Sequence, residues 1–187
     1  MPHPLLLWLA ALLLAISGCA STTTSLLIPS PQAPVCRGTA KAKIIWVTNW
    51  RLDQKDTSAR EAAASEGISQ FFERSACFLS ASVHRLPQYS AASVQAAVAD
   101  AATRYEKVVM LVVRELGPTL KLGASLALVE GGTEVVFEVS EYMPVGPEPR
   151  TFSVQWRSGG PGVVKGVATL PQDMQAALAS GLQPVAR

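Results

Sequence analysis

Apolar and polar positions follow several rhythms along this chain, and each predicts a different kind of element. Residues 5–16 form an unbroken apolar run of Leu, Ala, Trp and Ile. As a helix this run would span about 18 Å at ~1.5 Å per residue, too short for a hydrocarbon core of ~30 Å. It also lacks the polar face of a core helix. Residues 20–35 follow with three prolines and no charge, which predicts an extended leash; Leu26-Leu27-Ile28 is the one part of it that could dock on a domain. Residues 43–50 are β-branched and aromatic and predict a first strand. Ser58 and Glu61 stand at capping-box spacing and predict a helix to about residue 75, with Ala64, Ile68, Phe71 and Phe72 on one face. A strand over 77–86 is ended by Pro87, and Ser90 can cap a second helix to about residue 104. Residues 108–113 are continuously apolar, the pattern of a strand buried on both faces of a helix-covered sheet.

Beyond residue 113 the rhythm shortens. Runs at 120–129 and 134–142 predict a hairpin turning at Glu130-Gly131-Gly132-Thr133. Residues 143–150 form a proline-rich loop, and 151–157 alternate through Phe152, Val154 and Trp156, one face buried and one solvated. Gly159-Gly160-Pro161-Gly162 predicts a further turn before a strand-like 163–169. Pro171, Asp173 and Gly181 frame a last short helix. The order β-α-β-α-β-β-β-(β)-α predicts an α/β (α+β) domain over 43–183, a mixed β-sheet with helices packed mainly on one side.

Composition narrows the function classes. The chain has 187 residues, 16 basic and 14 acidic, with 16% charged residues in all. That length suits one domain, and so little charge is a poor footprint for nucleic acid. Three cysteines exclude a disulfide-dense miniprotein. The mean hydropathy of +0.25 is high for a soluble domain, and the 5–16 run supplies much of it.

That run ends in Ile16-Ser17-Gly18-Cys19, followed by Ala20 and the polar stretch Ser21-Thr22-Thr23-Thr24-Ser25. An aliphatic residue three before a cysteine, with small residues between, resembles the lipobox of bacterial lipoproteins. The resemblance implies a signal peptide over 1–18, cleavage before Cys19 and palmitate and diacylglycerol on Cys19. Attachment to a membrane would follow through these acyl chains. Residues 1–18 contain no Lys or Arg, a departure from the usual basic start. Ala20 stands where an inner-membrane retention signal would have Asp, which implies the outer membrane with the domain in the periplasm. Residues 19–42 are then the acylated cysteine and a flexible Pro/Thr/Ser leash. The element order is similar in outline to the amino-terminal domain of the Tol-system propeller protein and to curli-secretion-type envelope lipoproteins.

With Cys19 lipidated, Cys36 and Cys77 remain, either as a disulfide suited to an oxidising compartment or as two buried thiols. No CxxC spacing occurs and His84 is the only histidine of the mature chain, so no metal-ligand pattern and no cofactor motif is expected. No catalytic residue is assigned. A Gly-x-Ser-x-Gly elbow is absent, and Gly159-Gly160-Pro161-Gly162 lacks the Lys and Ser/Thr of a phosphate loop. Glu115, Glu130, Glu134, Glu138 and Glu141 read more simply as a solvated face than as paired general acids and bases. Trp46 is expected in the core. Trp50, near the end of a strand and followed by Arg51, is one candidate partner surface; the loop with Pro144, Pro147 and Pro149 is the other, because prolines reduce the entropy lost on docking. The expected function is that of a non-enzymatic accessory binding another envelope protein in assembly, transport or secretion. The alternative is a lipoprotein that binds a lipid or glycan between helices and sheet.

Overall fold

The computed structural model describes residues 22–29, 33–122, 129–143 and 148–183. Their elements in chain order are β1 (Thr23–Leu27), β2 (Arg37–Thr48), α1 (Thr57–Arg74), β3 (Phe78–Arg85), α2 (Ala91–Ala102), β4 (Lys107–Leu122), β5 (Val129–Tyr142), β6 (Arg150–Pro161), a single 3₁₀ turn (Val167–Thr169) and α3 (Leu170–Leu182). The strands form one sheet in the order β1-β6-β5-β4-β2-β3. β2 is parallel to β3 and β4, while β4, β5, β6 and β1 succeed one another antiparallel. The expected mixed α/β sheet is therefore present.

The two periodicities of the sequence explain the layers. In β4, Val109, Leu111 and Val113 turn to one face and Val108, Met110 and Val112 to the other, and all six are buried. On the first face Ile68, Phe71 and Phe72 of α1 and Met174, Leu178 and Leu182 of α3 build the larger core. On the second, Val94, Ala97 and Val98 of α2 cover β2 and the first half of β4, with Tyr142 at the end of β5 joining the cluster. The alternation of β6 buries Phe152, Val154 and Trp156 and exposes Thr151, Ser153 and Arg157. Among the described residues no helix covers the second face of β6, β1 and most of β5, and that bare face positions the candidate site. Among the described residues no helix is long and apolar enough to cross a membrane.

Several expected details are corrected. The Ser58–Glu61 capping box does not form: α1 begins after Asp56, which takes a left-handed φ of 55° and makes no side-chain cap. Glu61 is drawn away by longer-range partners, accepting from Thr48 Oγ1 at 3.1 Å and pairing with Arg85 at 2.5 Å. Ser90 does cap α2, its Oγ accepting from Ser93 N at 3.0 Å. Gly131 and Gly132 lie inside β5 rather than in a turn, since Leu122 pairs with Val129 and the connection falls at 123–128, outside the described residues. The glycine at 131 is needed for space: a Cβ there would stand 2.0 Å from the Val163 carbonyl oxygen. Residues 163–166 add no strand, and Gly181 lies within α3 instead of after it.

The largest correction concerns the leash over 19–42. Thr23–Leu27 pairs antiparallel with β6, from Thr23 opposite Gly159 to Leu27 opposite Gln155. An uncovered sheet edge offers backbone groups that an extended, uncharged segment can satisfy, and this is the docking that Leu26-Leu27-Ile28 allowed. Further along, Val35 and Cys36 donate their N–H groups to Leu182 O at the end of α3, each at 3.0 Å. Cys36 and Cys77 form a disulfide with a Cα–Cα distance of 4.4 Å. The expected domain start at 43 moves back accordingly, because Arg37 already belongs to β2.

Candidate interaction face

The bare face is lined by side chains whose exposure the strand pleat dictates. Glu134, Val136 and Glu138 of β5 stand beside Ser153, Gln155 and Arg157 of β6. On β4 a bulge between Val113 and Glu115 inserts Arg114 as an extra residue, which turns its long side chain across the face. Arg114 binds Glu138 through two hydrogen bonds, Nε at 3.0 Å and Nη2 at 3.2 Å. Where β4 outruns β2 its edge is met by the loop after β2 and the first turn of α1: Arg51 of the loop pairs with Glu115 at 2.5 Å, Gln54 donates to it at 2.9 Å, and Arg60 of α1 donates at 3.0 Å. The outcome is a concave patch bounded by Arg51, Arg114 and Arg157 and by two carboxylates, Glu115 and Glu134. It continues toward the hairpin end as a trough of about 280 Å³ with a floor of glycines and walls from Thr23, Ser25 and Thr119.

Glu134 is the most constrained group on this face. Burial alone would raise its carboxyl, but hydrogen bonds from Arg157 at 2.7 Å and Gln155 at 2.5 Å, with the charges of Arg157 and Arg51, bring it below the usual 4.5. A carboxyl lowered in the folded state stabilises that state above its unfolded pKa and ceases to do so as pH falls through the folded value. The stability difference between the wild type and Glu134→Gln, measured by urea unfolding, is therefore expected to be largest near neutrality. It should shrink steadily below about pH 4.3, the ordinary range for Glu. A difference that does not change with pH would mean that the carboxylate charge is not what the arginine recognises. Tyr142 moves the other way, its phenol raised by burial and then by neighbouring Tyr89.

A second charged cluster lies at the opposite end of the sheet. Glu141 pairs with both Lys107 and Arg150, and the two cations in turn donate to the segment just ahead of β2: Lys107 Nζ to Val35 O at 2.9 Å and Arg150 Nη1 to Ala33 O at 2.6 Å. Only 3% of Lys107 and 7% of Glu141 is exposed. Together with Arg37, Met143 and Glu148 these residues border a cleft of about 390 Å³.

Of the residues expected at a partner surface, Trp50, Arg51 and Pro149 are described, and they lie apart. The strand ends at Thr48, so Trp50 does not share a strand face with Trp46. Trp50 packs half-buried against the larger core with Nε1 enclosed, while Trp46 is 1% exposed. Arg51 alone joins the bare face. Pro149 is exposed beside the cleft at the other end, and Pro144, Pro147 and Cys19 lie outside the described residues. His84 is exposed on β3. The carboxylates considered for acid–base work are spread out: Glu115, Glu134, Glu138 and Glu141 each face an arginine rather than a second acid. Among the described residues no three His, Cys, Asp or Glu side chains converge as a metal group. The space between helices and sheet, where a ligand site was an alternative, is filled by the core, and among the described residues concavities lie on the bare face, beside the segment just ahead of β2 and along the outer side of α1 and α3. Sequence reasoning missed Arg114 and Arg157; their signal was the opposite charge that register places directly or diagonally across at Glu138 and Glu134.

No protein-family model matches the chain, and no curated protein matches it. Among solved structures it is similar to the PelC dodecamer of Paraburkholderia phytofirmans, at 14% identity over 89% of this chain and 100% of that one, with a TM-score of 0.46. It is also similar to a homolog of the neuraminyllactose-binding hemagglutinin of Helicobacter pylori, at 9% identity over 81% of this chain and 88% of that one, with a TM-score of 0.40.

Proposed function

We propose that this chain is a lipid-anchored protein of the outer membrane whose domain lies in the periplasm. There it acts as a non-enzymatic accessory that binds another envelope protein in assembly, transport or secretion. The observation that carries the reading is the Cys36–Cys77 disulfide in a chain that also bears the lipobox Ile16-Ser17-Gly18-Cys19. Disulfides persist in oxidising compartments such as the periplasm, and the lipobox implies export to that compartment. The bare sheet face supplies the contact surface. Its arginine–carboxylate pairs fix a polar pattern that a partner of complementary charge can recognise, and such patterns contribute chiefly to specificity and association rate.

A second reading, a small polar ligand such as a glycan, is favoured by the hydroxyl, glycine and carboxylate lining of the trough. Its volume of about 280 Å³ falls just below that of most ligand sites, ~300–1,000 Å³.

Two measurements test the proposal. Cys19→Ala is expected to abolish palmitate labelling and to release or mislocalise the protein; unchanged membrane fractionation would overturn the lipid anchor. A photoreactive crosslinker replacing Ser153 on the bare face should capture one envelope protein repeatedly in intact cells, and one replacing Glu73 on α1 should not. Repeated absence of a protein adduct at Ser153, together with saturable binding of an oligosaccharide that protects it, would favour the ligand reading instead.

A further inference from the structure

The path of the amino-terminal segment decides which end of the domain lies nearest the anchor. Thr23 of β1, Gly159 of β6, Gly132 of β5 and Thr119 of β4 form one row across the sheet, and the Thr23 hydroxyl donates to Gly159 O at 3.2 Å. Only Ala20 and Ser21 separate Cys19 from Thr22. At ~3.6 Å per residue the acylated cysteine therefore lies within about 14 Å of Thr23, where β1 starts. A leash over the whole of 19–42 would have allowed any face of the domain to meet the membrane. The docked strand removes that freedom.

The next row outward is Leu120, Gly131 and Gly160. Leu120 is 63% exposed and Val164 is 85% exposed. The two flank Gly131, the Val164 Cα lying 3.7 Å from where a Cβ on that glycine would stand. An apolar pair is thus presented at the same end of the sheet as the tether. The far end lies roughly 40 Å away, since β4 runs from there at ~3.3 Å per residue; Leu79, equally exposed at 64%, stands at that end on β3.

We propose that the end of the sheet carrying Leu120 and Val164 rests on the phospholipid surface of the membrane that holds the Cys19 acyl chains. The sheet then stands away from the bilayer, and the cluster of Lys107, Glu141 and Arg150 is turned toward the aqueous compartment. This inference rests on the lipid anchor proposed above. Exposed apolar side chains held beside an anchor enter the headgroup and acyl boundary, to depths of ~5–10 Å.

The test uses the full acylated protein in vesicles of phosphatidylethanolamine and phosphatidylglycerol. An environment-sensitive fluorophore is attached through Leu120→Cys, Val164→Cys or Leu79→Cys. Quenching by lipids brominated in their acyl chains is expected to be at least about two-fold stronger at 120 and 164 than at 79, because only that end reaches the boundary. Equal quenching at all three positions, or the strongest at 79, would overturn the orientation. Hydroxyl-radical footprinting of the unsubstituted protein gives a readout free of any new thiol: on vesicles Leu120 and Val164 should be protected and Leu79 not, and the reverse order would count against the proposal. The two levels separate cleanly. A protein that carries no acyl chain at Cys19 and leaves the membrane fraction overturns both the anchor and the orientation. One that is acylated and membrane-bound with an unprotected Leu120 overturns the orientation alone.

Discussion

Glu141→Gln is expected to destabilise the domain by about 3–5 kcal/mol, the usual loss when one member of a buried ion pair is removed. The size follows from what Lys107 would keep. Its ammonium is enclosed, and without Glu141 it retains the Val35 carbonyl and the ring of Phe78, whose centroid is 6.0 Å away. Neither neutralises a charge withdrawn from water. Lys107→Met should cost less, because Glu141 would keep Arg150 as its counter-ion. The double variant Lys107→Met/Glu141→Leu should recover most of the loss, since a buried pair replaced by apolar groups is often nearly neutral. Guanidinium unfolding of the three variants checks this order. A loss below about 1 kcal/mol for Glu141→Gln would show that the pair behaves as a solvated surface bridge.

The second large effect is expected from the disulfide. Cys36 and Cys77 lie 41 positions apart, and closing a loop of that size restricts the unfolded chain enough to stabilise the fold by about 4 kcal/mol in the chain-entropy model. Cys36→Ser/Cys77→Ser should lower the denaturant midpoint accordingly, and the wild type in strong reductant should match the variant. Thiol alkylation under unfolding conditions should gain two groups after reduction. Equal labelling before and after would mean free thiols. The two predictions share a structural origin: the bond and the ion cluster both fasten the segment ahead of β2, from Ala33 to Cys36.

The elements with strong local signals were the ones legible in the chain. The apolar run of β4, the alternation of Phe152, Val154 and Trp156, and the Ser90 cap all read correctly because burial period and capping chemistry act over a few residues. The errors lie where distant residues decide. Glu61 has the spacing of a capping partner but is held by Thr48 and Arg85, which arrive from two strands. Gly131 and Gly132 have the composition of a turn, yet they thin a strand so that Val163 can approach it. The edge pairing of β1 carries no local signal beyond an uncharged extended segment, since its partner is the last strand of the sheet. The site shows the same division. Arg51 was identified from its position after a strand, but the face it joins is assembled from β4, β5 and β6 by register, and only the sheet topology brings Arg114 and Arg157 to it.

That edge pairing also fixes an order of events. Thr23 and its partner Gly159 are 136 positions apart, so β1 cannot pair until nearly the whole chain has been made and β6 has been laid down. Contacts between such distant segments close late, because the entropy of a long loop must be overcome first. The first strand to leave the ribosome is thus the last to find its neighbour.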